Sequence, residues 1–220
     1  MFVGHYGVSF AAQRMNRHVP LWVMFIAVQL LDVLWAPFIL LGIEKVRIVP
    51  GITASNPLDL YYMPYTHSLI AAVVWSSAGY GLYRLWRRRA AASAATLVGL
   101  AVFSHWILDF VVHRPDLPLY DNTAKVGFGL WRHVAFSFPL ELIVLGLGAW
   151  LYARITGFTT AKGRYVFWGF VVFLAAMQVY ANFGPPPASP EAMAVMALAF
   201  YLVLALQAAW VERIAAKPAH

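Results

Sequence analysis

Six apolar segments, each about as long as a membrane is thick, constrain what this chain can fold into. An α-helix needs about 20 apolar residues to cross the hydrocarbon core of a bilayer. The chain is 62% hydrophobic and 11% charged, whereas soluble domains average about 45–50% apolar and about 25% charged residues. We therefore predict an all-α integral membrane protein that forms one polytopic domain over residues 1–220. The predicted transmembrane helices cover residues 21–43, 66–85, 92–113, 131–152, 165–183 and 191–211.

The basic residues indicate which ends of these helices face the cytoplasm, because Lys and Arg concentrate in cytoplasmic loops. With a cytoplasmic N-terminus, eleven basic residues fall on the cytoplasmic side and five on the outer side. The cytoplasmic set is Arg14, Arg17, Arg84, Arg87, Arg88, Arg89, Arg154, Lys162, Arg164, Arg213 and Lys217. The outer set is Lys45, Arg47, Arg114, Lys125 and Arg132. We expect both termini in the cytoplasm. The loops also account for the net charge of +7, so we expect no nucleic-acid partner.

A polar stripe interrupts the third predicted transmembrane helix. His105, Asp109 and His113 are spaced four residues apart, which places them on one face of an α-helix. Imidazole and carboxylate groups bind Zn²⁺ and similar divalent ions, and the chain has no cysteine to supply thiolate ligands. The stripe predicts part of a metal site. A hydrogen-bond network between helices is the alternative interpretation.

Two further ionisable residues are predicted to lie at a similar depth. With a rise of about 1.5 Å per residue, Asp32 in the first predicted helix and His67 near the start of the second fall in the outer half of the membrane, close to His105 and Asp109. Ionisable side chains at this depth cost at least ~2.5 kcal/mol each unless they are paired or hydrated. A divalent ion would satisfy several of them together. Glu141, deep in the fourth predicted helix, is a further buried carboxylate whose partner the sequence does not identify.

Residues 1–12 are apolar but too few to cross a bilayer. We predict that they form a re-entrant half-helix packed beside the first transmembrane helix. This arrangement would bring His5 toward Asp32 and His105. The small residues Gly4, Gly7 and Ala11, at spacings of three and four, favour close helix packing.

Four segments carry a resemblance to a known family: GHYGVSF at residues 4–10, Asp32, YTHSL at residues 65–69 and SHWILD at residues 104–109. Over residues 1–113 the chain resembles the bacterial membrane-bound metal-dependent hydrolases, which include LexA-regulated inner-membrane hydrolases. The pattern of that family has an N-terminal Thr-His, an Asp-rich segment, a Thr-His-Ser and a His-x-x-x-Asp. Here Gly4 replaces the threonine, and the Asp-rich segment is reduced to Asp32.

Together the stripe and the resemblance imply metal-dependent hydrolysis of a membrane-embedded or lipid-linked substrate, from the extracytoplasmic side of the bacterial inner membrane. Zinc is the expected ion. The expected ligands are His5, Asp32, His67, His105 and Asp109. Asp109 is also a candidate general base, and Ser68 and His113 are candidates to position substrate.

Two other classes of function use the same residues. In a transporter, or in a proton or metal conduit, the ionisable residues would form a relay. We find no internal repeat of the kind from which many transporters are built. The second alternative is a membrane scaffold without catalytic activity.

Overall fold

The structure is a computed structural model that describes residues 1–215. It is predominantly helical, as the composition predicts. The helices are α1 (Val3–Ala12), α2 (Leu21–Val28), α3 (Leu30–Leu40), α4 (Leu69–Trp86), α5 (Ala92–Val112), α6 (Val134–Thr156), α7 (Ala161–Phe183) and α8 (Pro190–Ala215). A short 3₁₀ helix, Leu130–Arg132, precedes α6.

Four of these helices, α5 to α8, are long and apolar enough to cross a membrane. The bent pair formed by α2 and α3 makes a fifth candidate if it is one span. The second of the six predicted spans corresponds to α4, which has 18 residues but lacks the same apolar character. The prediction of a helical membrane protein is therefore supported, and the number of six spans is not confirmed.

The first predicted span is interrupted near its middle. Proline is a common cause of a helix kink, but Pro37 lies inside α3. The break falls at Gln29, where the axis bends by 53°. Gln29 has φ −108° and ψ 8°, outside the helical values. At this break the Val28 carbonyl accepts a hydrogen bond from the side chain of His105 on α5, so a side chain supplies a donor where the helix is interrupted.

A β-hairpin lies between α3 and α4, in a segment for which the sequence predicts no regular structure. Strands β1 (Lys45–Ile48) and β2 (Leu58–Tyr62) pair antiparallel, with Arg47 opposite Asp59 and an irregularity between Lys45 and Arg47. Both strands are short and end near turn residues, which explains why periodicity alone does not identify them.

Helix α4 begins three residues later than predicted. The predicted helix starts at residue 66, with His67 near its start. Instead Ser68 is the N-cap, and its hydroxyl accepts a hydrogen bond from the Ala71 amide at 3.1 Å. His67 thus precedes the helix, and the Thr66 hydroxyl is available for other partners.

The N-terminal helix α1 is buried inside the bundle and packs most closely on α6. A side chain added at Gly148 would lie 2.0 Å from the Gly7 carbonyl oxygen, and one added at Gly7 would lie 2.3 Å from the Val144 carbonyl oxygen. The backbones of the two helices are therefore in direct contact, as in other small-residue helix pairs.

A carboxylate on α6 satisfies the exposed amides at the start of α1. Glu141 accepts hydrogen bonds from the Phe2 amide at 2.8 Å and the Gly4 amide at 3.0 Å. The Val3 amide faces the side-chain oxygen of Gln178 on α7 at 3.4 Å. Helix N-termini leave amides without partners and attract negative charge. Glu141 thus allows a helix to begin within the apolar bundle.

The loops gather at two ends of the bundle. At one end, the Ser55 amide donates to the Trp131 carbonyl at 3.1 Å, and Asn182 donates to the Ser55 carbonyl at 3.2 Å. At the other end, Glu212 on α8 accepts from the Leu21 amide at 3.0 Å, and the rings of Trp22 and Trp86 are 5.8 Å apart. Lys217 lies outside the described residues.

The close contact between α1 and α6 generates a first prediction. Gly148→Val should lower the midpoint of thermal unfolding in detergent, because overpacking a tight contact costs about 1–3 kcal/mol. Gly146→Val is the matched control, since a side chain at Gly146 meets nothing within 4 Å. Equal midpoints for the two variants would contradict the packing of α1 on α6.

Candidate metal centre

Two carboxylates and three imidazoles from three parts of the chain meet inside the bundle. Asp32 comes from α3, His67 from the residues before α4, and His105 and Asp109 from successive turns of α5. His113 follows the end of α5. His67, His105, Asp109 and His113 are each at most 3% exposed. The chain thus brings together in one cluster residues that are far apart in sequence.

His105 is oriented by the break between α2 and α3. Its Nδ1 lies 2.7 Å from the Val28 carbonyl oxygen. A carbonyl only accepts, so Nδ1 carries the proton, and in the neutral ring Nε2 has a free lone pair. Nε2 lies 3.1 Å from Asp109 Oδ2 and 3.8 Å from Asp32 Oδ1. It makes no hydrogen bond of acceptable geometry, so its lone pair faces carboxylate oxygens in a fully buried site.

His67 is oriented through a chain of two hydrogen bonds. The Thr66 hydroxyl donates to Glu44 Oε2 at 2.6 Å, which leaves its oxygen to accept from His67 Nδ1 at 2.7 Å. Nε2 of His67 then presents its lone pair 3.3 Å from Asp32 Oδ1 and 3.8 Å from Asp109 Oδ2. His67 and His105 therefore face the same two carboxylates with the same ring nitrogen.

Glu44 lies in the loop after α3 and is held in place by the residues that precede α4. Its Oε1 accepts from the amides of Tyr65 at 2.8 Å and Thr66 at 2.9 Å. Burial raises the pKa of the Glu44 carboxyl, while its interactions with His67, Thr66 and Tyr65 act in the opposite direction.

His113 is oriented by a carboxylate in the following loop. Its Nδ1 lies 2.9 Å from Asp116 Oδ1, and its Nε2 lies 3.5 Å from Asp109 Oδ2. The ring packs against Trp131 at 4.1 Å between centroids. Arg114 donates to Asp116 at 3.0 Å and also contacts Asp59 of the hairpin. The hairpin and the loop after α5 thus fix the third imidazole.

His5 on α1 joins the cluster from the opposite side. Its ring stacks on that of His105, with centroids 4.0 Å apart and planes 2° from parallel. Its Nε2 lies 3.2 Å from Asp109 Oδ1, and its Nδ1 has no hydrogen-bond partner within residues 1–215. The Met1 amino group also contacts Asp109. Unlike the other three rings, His5 has no neighbour at Nδ1 that selects its tautomer.

Asp32 is the most accessible member of the cluster. Its side chain is 18% exposed, and its Oδ2 accepts a hydrogen bond from the Tyr201 hydroxyl on α8 at 2.9 Å. Oδ1 is left to face His67 and His105. Asp32 thus points one oxygen at the imidazoles and the other at Tyr201, whereas both oxygens of Asp109 face imidazoles.

These groups can hold a metal ion. Two sets of three ligand atoms lie within 4.8 Å of one another: His5, His105 and Asp109 in one, and Asp32, His67 and His105 in the other. Neutral imidazole nitrogens and carboxylate oxygens are ligands for Zn²⁺ and similar ions. Metal-bound histidines usually donate their second N–H to a carboxylate, a carbonyl or a similar acceptor, as His67, His105 and His113 do here.

A cavity of about 250 Å³ opens beside the cluster. Asp32, His67, Asp109 and His113 form part of its wall. Most of the remaining wall comes from the hairpin region and from α7 and α8, with contributions from Met1, Phe2, Trp35, Trp131 and Glu141. The carboxylates therefore border a space that a small molecule or part of a larger one can enter.

Ser68 is not brought to this cavity. Its hydroxyl donates to the Pro64 carbonyl at 2.7 Å while it caps α4. The groups that orient the rings were not predicted: Glu44, the Thr66 hydroxyl, Asp116 and the Val28 carbonyl. Asp116 follows His113 by three residues in a Pro-containing loop, a spacing that could have identified it. The others depend on the tertiary structure.

Comparisons of the chain with protein-family models, with curated proteins and with solved structures give no match.

The Glu44–Thr66–His67 chain generates a second prediction. Thr66→Val should lower the Zn²⁺ affinity of the purified protein by about 10–100-fold, the usual effect of removing a group that orients a metal ligand. The affinity is measured by competition with a chelating dye. Thr96→Val is the matched control, because the Thr96 hydroxyl is exposed and donates only to the Ala92 carbonyl of its own helix. An unchanged affinity in Thr66→Val would refute this role.

Proposed function

We propose that this protein is a metal-dependent hydrolase that acts on a membrane-embedded or lipid-linked substrate. The ion is divalent, with zinc as the first candidate, and His5, Asp32, His67, His105 and Asp109 hold it. Asp109 is either one of these ligands or the general base, and His113 helps to position substrate. The resemblance of residues 1–113 to membrane-bound metal-dependent hydrolases supports the same assignment.

One observation carries the proposal: imidazole lone pairs face carboxylate oxygens in a buried site. His67 and His105 each have Nδ1 bonded to an acceptor, so in the neutral rings the Nε2 lone pairs face Asp32 and Asp109. Two groups that both carry lone pairs repel each other in an apolar environment unless a cation lies between them. A hydrogen-bond network alone would instead require a proton on each Nε2.

The residues around the cluster suit hydrolysis. A divalent ion held there would lower the pKa of a bound water toward ~7 and polarise the scissile group. Asp109 presents Oδ2 to His67, His105 and His113 but Oδ1 to His5. One of its oxygens can thus bind while the other accepts a proton from water. The apolar walls of the cavity strengthen these electrostatic interactions by excluding bulk water.

We infer that the cluster opens to the extracytoplasmic side of a bacterial inner membrane and that both termini are cytoplasmic. The grouping of loops supports this orientation, because the loops with few basic residues lie at the end of the bundle that bears the cavity. In this arrangement α4 and the bent α2–α3 pair complete six spans, and α1 is a re-entrant helix whose first amides are satisfied by Glu141.

A metal or proton transporter is the second candidate, favoured by the break at Gln29. Transporters commonly bind ions at discontinuous helices near the middle of the membrane. Here the interruption lies beside the cluster and exposes a carbonyl to His105. Hydrolysis and transport make different predictions for the purified protein.

The metal site is tested by elemental analysis of purified protein. The wild type should carry about one divalent ion per chain, and His105→Ala should lose most of it, because one fewer ligand leaves a weaker site. His133→Ala is the control, since His133 is exposed and outside the cluster. Equal metal content in the wild type and His105→Ala would overturn the proposal.

The reaction is tested by incubating the loaded protein with inner-membrane lipids and analysing the products by mass spectrometry. We expect hydrolysis products that disappear in Asp109→Asn and after chelation, because both remove the group that activates water. Metal or proton flux into vesicles without any product would favour the transporter instead.

The orientation is tested with cysteines introduced one at a time into this cysteine-free chain. A cysteine at Asn122 should react with an impermeant thiol reagent added to intact cells, and one at Thr160 should react only after permeabilisation. The reverse pattern would overturn the inferred orientation.

A further inference from the structure

The cavity beside the cluster extends to the outer surface of the bundle. It is lined by the C-terminal part of α7, the first half of α8 and the hairpin. Tyr180 and Met196 line it and are 54% and 40% exposed. Both belong to helices apolar enough to cross a membrane, so their exposed faces contact lipid in a bilayer. The cavity therefore runs from the carboxylates to the lipid-facing surface between α7 and α8.

The part of the cavity next to α8 is apolar. Its lining includes Met177 and Met193 together with Met196 and Phe200. Methionine side chains adapt to irregular apolar ligands. The volume of about 250 Å³ is near the lower limit of small-molecule sites, about 300–1,000 Å³. It is suited to one hydrocarbon chain rather than to the two chains of a bulk phospholipid.

The polar part of the cavity offers amides, carboxylates and the imidazoles of His67 and His113. Asn56, Gln178 and Asn182 line it beside Asp32 and Asp109. Among the described residues, neither Lys nor Arg lines the cavity.

The charges at this end of the cavity do not attract an anion. Glu141 is a third lining carboxylate, and the amino group of Met1 is paired with Asp109. A divalent ion and the Met1 amino group would together balance these three carboxylates. A phosphate would therefore meet no Lys or Arg, and these groups would leave no net positive charge to attract it.

We propose that the cavity binds an amphiphile with a single hydrocarbon chain and an uncharged, hydroxyl- or amide-bearing head, such as a monoacylglycerol. The chain lies between α7 and α8, and the head faces Gln178, Asn182 and the carboxylates. This inference rests on the proposed function, whose substrate class it specifies. Hydrolysis of such an ester adds the water oxygen to the acyl carbon and breaks the acyl C–O bond. The products are a fatty acid and an alcohol, whose oxygen takes a proton from the water.

The test measures binding of a fluorescent monoacylglycerol to the purified full-length protein in detergent. Ala197→Trp places an indole ring in the cavity. It should weaken binding of the lipid by about tenfold or more, because the hydrocarbon chain loses part of its apolar contact surface. Ala199→Trp is the matched control, because Ala199 is on the same helix, exposed, and does not line the cavity. Equal affinities of the two variants would overturn the proposal.

The head group is tested with a lysophosphatidic acid that carries the same fluorescent chain. It should bind at least about tenfold more weakly than the monoacylglycerol. Equal or tighter binding of the anionic lipid would overturn the inference about the head.

Metal content measured on the same variants separates the two proposals. Ala197→Trp should retain its metal, which shows that the loss of lipid binding does not come from misfolding. If His105→Ala keeps its metal but Ala197→Trp still loses lipid binding, the metal proposal fails and the lipid site stands.

Discussion

The burial of Asp32 and Asp109 in an apolar helix bundle is the constraint on which the rest of the structure depends. A carboxylate inside a bilayer costs at least ~2.5 kcal/mol unless it is paired or hydrated. The chain surrounds these two with imidazoles whose nearest nitrogens lie 3.1 to 3.8 Å from their oxygens. Three of the rings are held at Nδ1 by a carbonyl, a hydroxyl and a carboxylate. This arrangement can hold a cation.

Several irregular features of the fold supply polar partners to the buried cluster and to the helix ends around it. The break at Gln29 supplies the Val28 carbonyl to His105, and the loop after α3 supplies Glu44 to the Thr66–His67 pair. Helix α1 can begin inside the bundle because Glu141 accepts hydrogen bonds from its first amides. The close contact between Gly7 and Gly148 holds α1 against α6, and the ring of His5 on α1 stacks on that of His105. A regular transmembrane helix pairs its own backbone amides and carbonyls. Where the helices here are broken or begin inside the bundle, side chains supply the missing hydrogen-bond partners.

The sequence predicts the helical class and the cluster more completely than the features that orient it. Length and hydropathy are properties of continuous segments, and the four-residue spacing of His105 and Asp109 is local, so both can be read from the chain. The rise per residue of the predicted helices also places Asp32 and His67 at a similar depth in the membrane. The break at Gln29 could not be predicted, since Pro37 is the stronger local signal. The Tyr201 contact with Asp32 links residues 169 positions apart and depends on the packing of α8 against α3.

X-ray absorption at the zinc edge of the zinc-loaded protein tests the central claim most directly, because it reports the atoms around the ion. The account predicts at least two imidazole nitrogens at about 2.0–2.1 Å, with carboxylate oxygens completing the shell. It also predicts that His67→Ala removes one imidazole from this shell. A shell composed of water or carboxylate oxygens alone, or one unchanged in His67→Ala, would contradict the claim that these imidazoles converge on a metal ion.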